Sequence, residues 1–369
     1  MNKNLIAFVI IVLALGVFKS SYGQYNQQQF IRNQSLTLGF HAKLWELDND
    51  TRFFEAALPV VFSVPVGRRF AIDVVTAPFI TALEPDEGKV LDFSSVTDSY
   101  IRGSYIIGDN RALLTVGVGL PSGKTELDSE ELALAGIAAN RPLANPVTNF
   151  GTGLNVSVGL ALAHEIGSWV FGVGVGYSRR GEYNLNSQSA KIDPGDEFNI
   201  TVGVDKEFGS AKFMADLIYT TYSKDESELL DPYKAGEKLL LNGRLMFPLG
   251  FLNPIVLSAG NRTRKNNETA NPALLENGNE FEFRATATAP FGNSFGLKFI
   301  YLTRIYGDTD QSFDGANIHG FGGGVILRLS RHFTFDPALI YSTGSINTGP
   351  NSEIDVTGIE LTGGFAFRF

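Results

Sequence analysis

The chain has 369 residues, 44% of them apolar, 12% aromatic and 19% charged, with 40 glycines, 29 phenylalanines and no cysteine. That composition excludes a disordered chain, which would be poorer in aromatic and β-branched residues. Without cysteine there is no disulfide scaffold, thiolate metal site or acylated-cysteine anchor, and a formal charge of −9 argues against nucleic acid as a partner.

Residues 1–23 read as a signal peptide. Lys3 precedes an apolar run from Leu5 to Phe18, which Lys19 closes. The run is shorter than the ~20 residues a membrane-spanning helix needs. Ser21 and Gly23 place small residues where a signal peptidase cuts, which predicts cleavage before Gln24. Residues 24–34 then form a short periplasmic segment, too short for a plug, and 35–369 form one domain.

From residue 35 apolar and polar side chains alternate with period two. Leu154, Val156, Val158, Leu160 and Leu162 fall on one face and Asn155, Ser157, Gly159, Ala161 and Ala163 on the other. Phe281 and Phe283 likewise oppose Glu280, Glu282 and Arg284. Strict alternation predicts strands that face two different surroundings.

Short turns near Gly67, Asp109-Asn110, Gly167, Gly209, Leu249-Gly250, Gly292-Asn293 and Ser330-Arg331 alternate with eight longer polar loops. The loops are Leu47–Thr51, Leu83–Asp92, Pro121–Gly151, Gly181–Gly195, Asp225–Gly236, Asn266–Gly278, Gly307–Ala316 and Ile346–Ser352. This punctuation predicts an all-β, transmembrane, antiparallel up-and-down β-barrel of about 16 strands, with 14 as the alternative because the first two strands are the least regular. Alternating short turns and long loops are the pattern of a Gram-negative outer-membrane barrel. A β-sandwich would require neither that alternation nor the aromatics that crowd the short-turn ends.

The chain finishes Phe365-Ala366-Phe367-Arg368-Phe369. Phe365, Phe367 and Phe369 share one face and resemble the C-terminal signal by which assembly machinery recognises outer-membrane barrels. The expected partners are therefore outer-membrane lipid, that machinery and a small-molecule solute, with a homo-oligomer left open.

The polar face should line the lumen. Its selectivity candidates are Lys43, Arg102, Arg244, Arg262, Arg264, Glu280, Glu282, Arg284, Lys298 and Arg304. In one arrangement Arg262, Arg264, Arg284 and Arg304 make a basic wall facing carboxylates across a water-filled bore. In the other, Arg284 pairs with Glu280 and Glu282 and the network merely fills the lumen. Glycines at 117, 119, 172, 174, 176, 322 and 324 leave room inside. The longest loop, Pro121–Gly151, carries a short helix from Ser129 with Glu130 and Glu131 in its first turn. It folds inward as a constriction or lies across the mouth.

Gly119–Thr125 imitates a phosphate loop, but position 118 is Val118, so the glycine spacing is wrong. His41, His164, His319 and His332 form no close pair on a strand, so neither a metal nor a cofactor is expected. An outer-membrane hydrolase would need a nucleophile–histidine pair, for which His319 near Asp314 is the nearest approach.

The stretch from Asp98 to Tyr105, the corner from Leu114 to Thr125 and the stretch from Gly176 to Tyr183 resemble the meta-pathway phenol-degradation family of outer-membrane barrels. That resemblance implies a channel for aromatic compounds. The residues themselves support passive passage of small solutes without catalysis. The alternative is a structural or adhesive barrel with a closed lumen.

Overall fold

A computed structural model describes residues 35–368, except 49, 87, 109–110, 140–150, 185–190, 228–231, 270–277, 308–314 and 350–351. The expected signal peptide, the segment 24–34, Phe369 and Asp314 lie outside the described residues.

Sixteen antiparallel strands close into one barrel. They are β1 (Ser35–Leu47), β2 (Arg52–Ala57 and Val60–Val66), β3 (Phe70–Thr76 and Pro78–Glu84), β4 (Leu91–Val96 and Ser99–Ile107) and β5 (Ala112–Leu120). Next come β6 (Asn155–Ile166), β7 (Trp169–Arg179), β8 (Glu197–Phe208), β9 (Ala211–Tyr222), β10 (Lys238–Leu249) and β11 (Leu252–Arg264). The last five are β12 (Glu280–Phe291), β13 (Phe295–Tyr306), β14 (Ala316–Ser330), β15 (Phe333–Phe335 and Ala338–Gly349) and β16 (Ser352–Arg368). Each strand pairs with its sequence neighbour. The seam joins β1 to β16 in register from Ser35↔Arg368 to Leu47↔Val356.

The outer surface is apolar. On β6 the leucines and valines are the exposed residues (Val158 47%, Leu162 48%), while Ser157 and Gly159 turn inward. Phe171, Leu241, Phe321, Leu339 and Ile359 continue this exposed band around the barrel. In water such a surface would be unstable; in lipid it is the required solvent contact, and closure leaves no unpaired sheet edge. Aromatics collect at the short-turn ends. Phe251 and Phe291 stand out, Lys206 lies 4.1 Å over the Trp169 ring, and Phe333, Phe335, Phe365 and Phe367 cluster.

The short turns near Gly67, Gly167, Gly209, Leu249-Gly250, Gly292-Asn293 and Ser330-Arg331 occur where the sequence places them; Asp109-Asn110 lie outside the described residues. Several use a glycine with positive φ, such as Gly209 (φ 63°) and Gly292 (φ 68°), a conformation that any side chain would strain. Two expected long loops are instead tight. β1 and β2 are joined through Asp48–Thr51, with Asp50 at φ 57°. The supposed loop Ile346–Ser352 is mostly strand, because β15 runs to Gly349 and β16 starts at Ser352. Ile346 pairs with Ile354 and packs beside Val356 in a buried cluster, and that burial extends the hairpin past its turn-forming residues.

Strands β2, β3 and β4 each break once, at Leu58-Pro59, Ala77 and Thr97-Asp98. The breaks lie side by side. Leu58 N–H donates to the Pro78 carbonyl and Thr97 N–H to the Ala77 carbonyl, both at 2.8 Å. Helix α1 (Ser129–Ala139) starts at the expected residue. Asp128 caps it, accepting from the N–H groups of Glu130 and Glu131 at 2.9 Å, while Glu131 reaches back to the Asp128 N–H at 3.1 Å.

Candidate functional site

Strand pairing fixes which side chains look inward. Lys43 stands opposite Glu55 on β2 and Glu360 on β16, and two residues along, Trp45 stands opposite Phe53 and Gly358. All of them are buried, and the glycine's missing side chain admits the indole, since a Cβ there would collide with the Trp45 ring. Ile318, Ile346 and Val356 complete this inner cluster. Ile300, Leu302 and Ile340 form another on β13 and β15. The lumenal face of β13–β16 and β1–β2 is thus packed like a core rather than merely lined with polar groups. The alternation did not reveal this, because in β13 both parities are apolar: Phe299 and Tyr301 point out, Ile300 and Leu302 point in.

Charges are threaded through the lumen. Glu360 lies 3.0 Å from His41 Nε2 and 3.5 Å from Arg304, which also meets Glu282 at 3.3 Å. Arg102 bonds Asp73 at 2.9 Å, and Ser63 donates to the same carboxylate at 2.8 Å. Arg262 pairs with Glu280, and Lys298 with Asp336. The pairing therefore differs from both expected arrangements. Arg262 and Arg304 are neutralised by the glutamates, while Arg284 pairs with neither Glu280 nor Glu282. Among the described residues no carboxylate lies within ion-pair distance of Arg244, Arg264 or Arg284. Arg264 is exposed at the end of β11, and the other two are half-buried on the wall.

The opposite wall is open. Gly172, Gly174 and Gly176 on β7, Ala161 and Ser157 on β6, and Thr201 and Gly203 on β8 bound a cavity of about 500 Å³, which Arg102 and Asp216 also line.

The long loop enters the bore. Leu127 and Leu134 pack on Ala57, Phe79 and Phe93. These three share the parity of Glu55 and Thr81, so α1 lies against the inner wall. Of the two expected placements, the inward one is observed for residues 121–139. Asp98, at the break in β4, fastens both loop ends. It accepts from the N–H groups of Gly123 at 3.1 Å, Gly151 at 2.9 Å and Thr152 at 2.9 Å, and from the Thr152 hydroxyl at 2.5 Å. The glycine-lysine corner that imitates a phosphate loop thus presents its N–H to the chain's own carboxylate. Sequence parity places Asp98 in the lumen but carries no signal of this clasp, whose partners lie 25 to 54 residues away.

His319 meets the Tyr301 hydroxyl at 3.3 Å, and the described residues hold no group of three metal-ligating side chains.

No protein-family model matches the chain, and no curated protein matches its sequence. Solved structures do resemble it. OprB of Pseudomonas putida is 9% identical, covering 94% of this chain and 97% of its own, with a TM-score of 0.50. The outer membrane channel DcaP of Acinetobacter baumannii is 12% identical over 92% and 96%, with a TM-score of 0.42. OccK7 of Pseudomonas aeruginosa is 9% identical over 91% and 98%, with a TM-score of 0.42. The likeness to OprB is one of fold. The chain is an integral outer-membrane β-barrel: sixteen closed strands, an apolar exterior and a polar, partly filled interior.

Proposed function

We propose that the barrel is a passive channel for small solutes, one that makes and breaks no bonds. The observation that carries this reading is the division of the lumen. A wall of glycine, alanine, serine and threonine bounds a cavity of about 500 Å³, opposite a half filled by packed side chains and ion pairs. Small side chains leave a path for a solute, and fixed charges beside it orient the dipole or charge of what passes. Lys43, Arg102, Arg244, Arg262, Arg264, Glu280, Glu282, Arg284, Lys298 and Arg304 are the residues proposed to set selectivity. The loop held by Asp98 narrows the bore on one side.

The outer-membrane lipid and the assembly machinery that would read Phe365, Phe367 and Phe369 are the proposed partners. The resemblance of Asp98–Tyr105 and Gly176–Tyr183 to the phenol-degradation barrels supports aromatic compounds as a solute class. The test is single-channel recording of the detergent-refolded protein in a planar bilayer. Stable current steps are expected, with a reversal potential in a salt gradient that shifts when lumenal arginines are neutralised. Silence from a barrel shown to be folded by heat-modifiable mobility would overturn the channel and favour a sealed structural barrel.

A further inference from the structure

Arg244, Ser258 and Arg284 occupy one level of the inner wall. Strand register sets Arg244 directly opposite Ser258, and Ser258 directly opposite Arg284, across β10, β11 and β12. Two strand spacings separate the arginines, about 10 Å between backbones. That is within reach for two long side chains converging on one ligand.

Their surroundings leave the charge unbalanced. The neighbouring inward cations Arg262, Arg304 and Lys298 each have a carboxylate. At this level the row continues through Met214 to Asp205 on one side, and Asp205 already faces Lys212 at 3.8 Å; on the other side it meets buried Leu302. Glu282, the nearest acid along β12, is engaged by Arg304. The Arg244 Nε is buried with no hydrogen-bond partner. The Ser258 hydroxyl between the arginines donates its proton to the Arg284 carbonyl at 3.3 Å, which leaves the guanidinium groups as the donors facing a ligand. Guanidinium groups do not deprotonate in proteins, so their donors need an acceptor and their charge needs an anion.

We infer that Arg244 and Arg284, flanking Ser258, form an oxyanion-binding station on the lumen wall for a small dianionic solute. The matching chemistry is two negative charges on oxygen, carried by a dicarboxylate or by a tetrahedral oxyanion. Fork-shaped guanidinium donors fit either one. The inference deepens the channel reading by naming a solute class.

The test is calorimetric titration of succinate and of sodium sulfate into the folded, detergent-solubilised full-length barrel. Binding of at least one probe is expected. It should weaken at least about tenfold in the R244Q/R284Q double variant and persist in R331Q, which neutralises an exposed short-turn arginine. R284K keeps the charge and should retain measurable binding, which covers the case of a double variant that does not fold. Succinate binding alone identifies a dicarboxylate site, sulfate binding alone a tetrahedral-oxyanion site, and either supports the station. No binding of either probe, or equal binding by the double variant, overturns it. Bilayer recording separates the two readings. Binding without conduction would remove the channel and keep the station, whereas conduction without binding would do the reverse.

Discussion

Glu360 shows how much a single lumenal side chain can hold. It is almost fully buried, 3.0 Å from His41 Nε2, near Arg304, and directly opposite Lys43. Buried charges survive only when paired, and removing one partner leaves the others uncompensated. Glu360→Gln, which keeps shape and loses charge, should destabilise the barrel by about 3–5 kcal/mol. The expected outcome is a lower temperature for the heat-modifiable mobility shift; an unchanged transition would mean that water reaches this network freely. The sequence places Glu360 and its partners on the polar parity, because alternation is a local property. It does not pair them. His41 and Glu360 meet only because the first and last strands meet, and no spacing rule reaches across the whole chain.

At the scale of elements, the helical loop depends on a clasp rather than on its own stability. One helix of this length is marginal alone, and α1 is kept in the bore by Leu134 against Phe79 and Phe93 and by Asp98 at both loop ends. Asp98→Asn keeps the size of the side chain and removes the charge that four donors share. Limited proteolysis should then cut within residues 121–151 several-fold faster, and channel conductance should rise as the constriction loosens. Equal cleavage would locate the anchoring in the apolar contacts instead.

The neighbouring outer loops are joined differently. Lys234 pairs with Glu268 side chain to side chain and backbone to backbone, and Lys265 with Glu237. Hydrogen bonds from these lysines hold the Glu268 and Glu237 carboxyls below their usual value of 4.5. A depressed carboxyl pKa contributes stability above the unfolded value, and the contribution is lost as pH falls through the folded one. Amide exchange at 232–237 and 265–269 should therefore be unchanged near neutrality and accelerate, beyond its intrinsic pH dependence, only below about pH 4.5. Helix start and glycine turns were legible because each is encoded within a few residues. The tight Ile346–Ser352 hairpin was not, because asparagine, glycine and proline there signal a loop while buried Ile346 and Val356 extend the strands. The strand breaks near Pro59 and Ala77 were also missed; only their alignment across three strands accommodates them.

For the whole molecule, the outside is the more legible surface. The lipid-facing positions largely obey one rule, apolar at alternate residues, whereas the inside obeys two, packed on one half and open on the other. Leu160→Arg on the exposed face of β6 should cost about 2–4 kcal/mol in a lipid bilayer. Gly174→Ser on the inner wall should cost little, since a Cβ there makes only ordinary contacts at 3.5 Å and beyond. Refolding yield into vesicles compares the two; equal yields would mean that the apolar band is not lipid-facing.

The seam also constrains how the molecule can form. Ser35 pairs with Arg368, so β1 and β16 are the two paired strands most distant in the chain. Hairpins between sequence neighbours close short loops and can zip early, but this last ladder must wait for all the others, since loop closure is costliest for the most distant partners. Until it closes, β1 and β16 each present an unpaired edge that could accept a strand from another chain. Folding is therefore exposed to misassembly at one ladder, and substitutions along β1 and β16 should slow the final step while leaving the earlier hairpins intact.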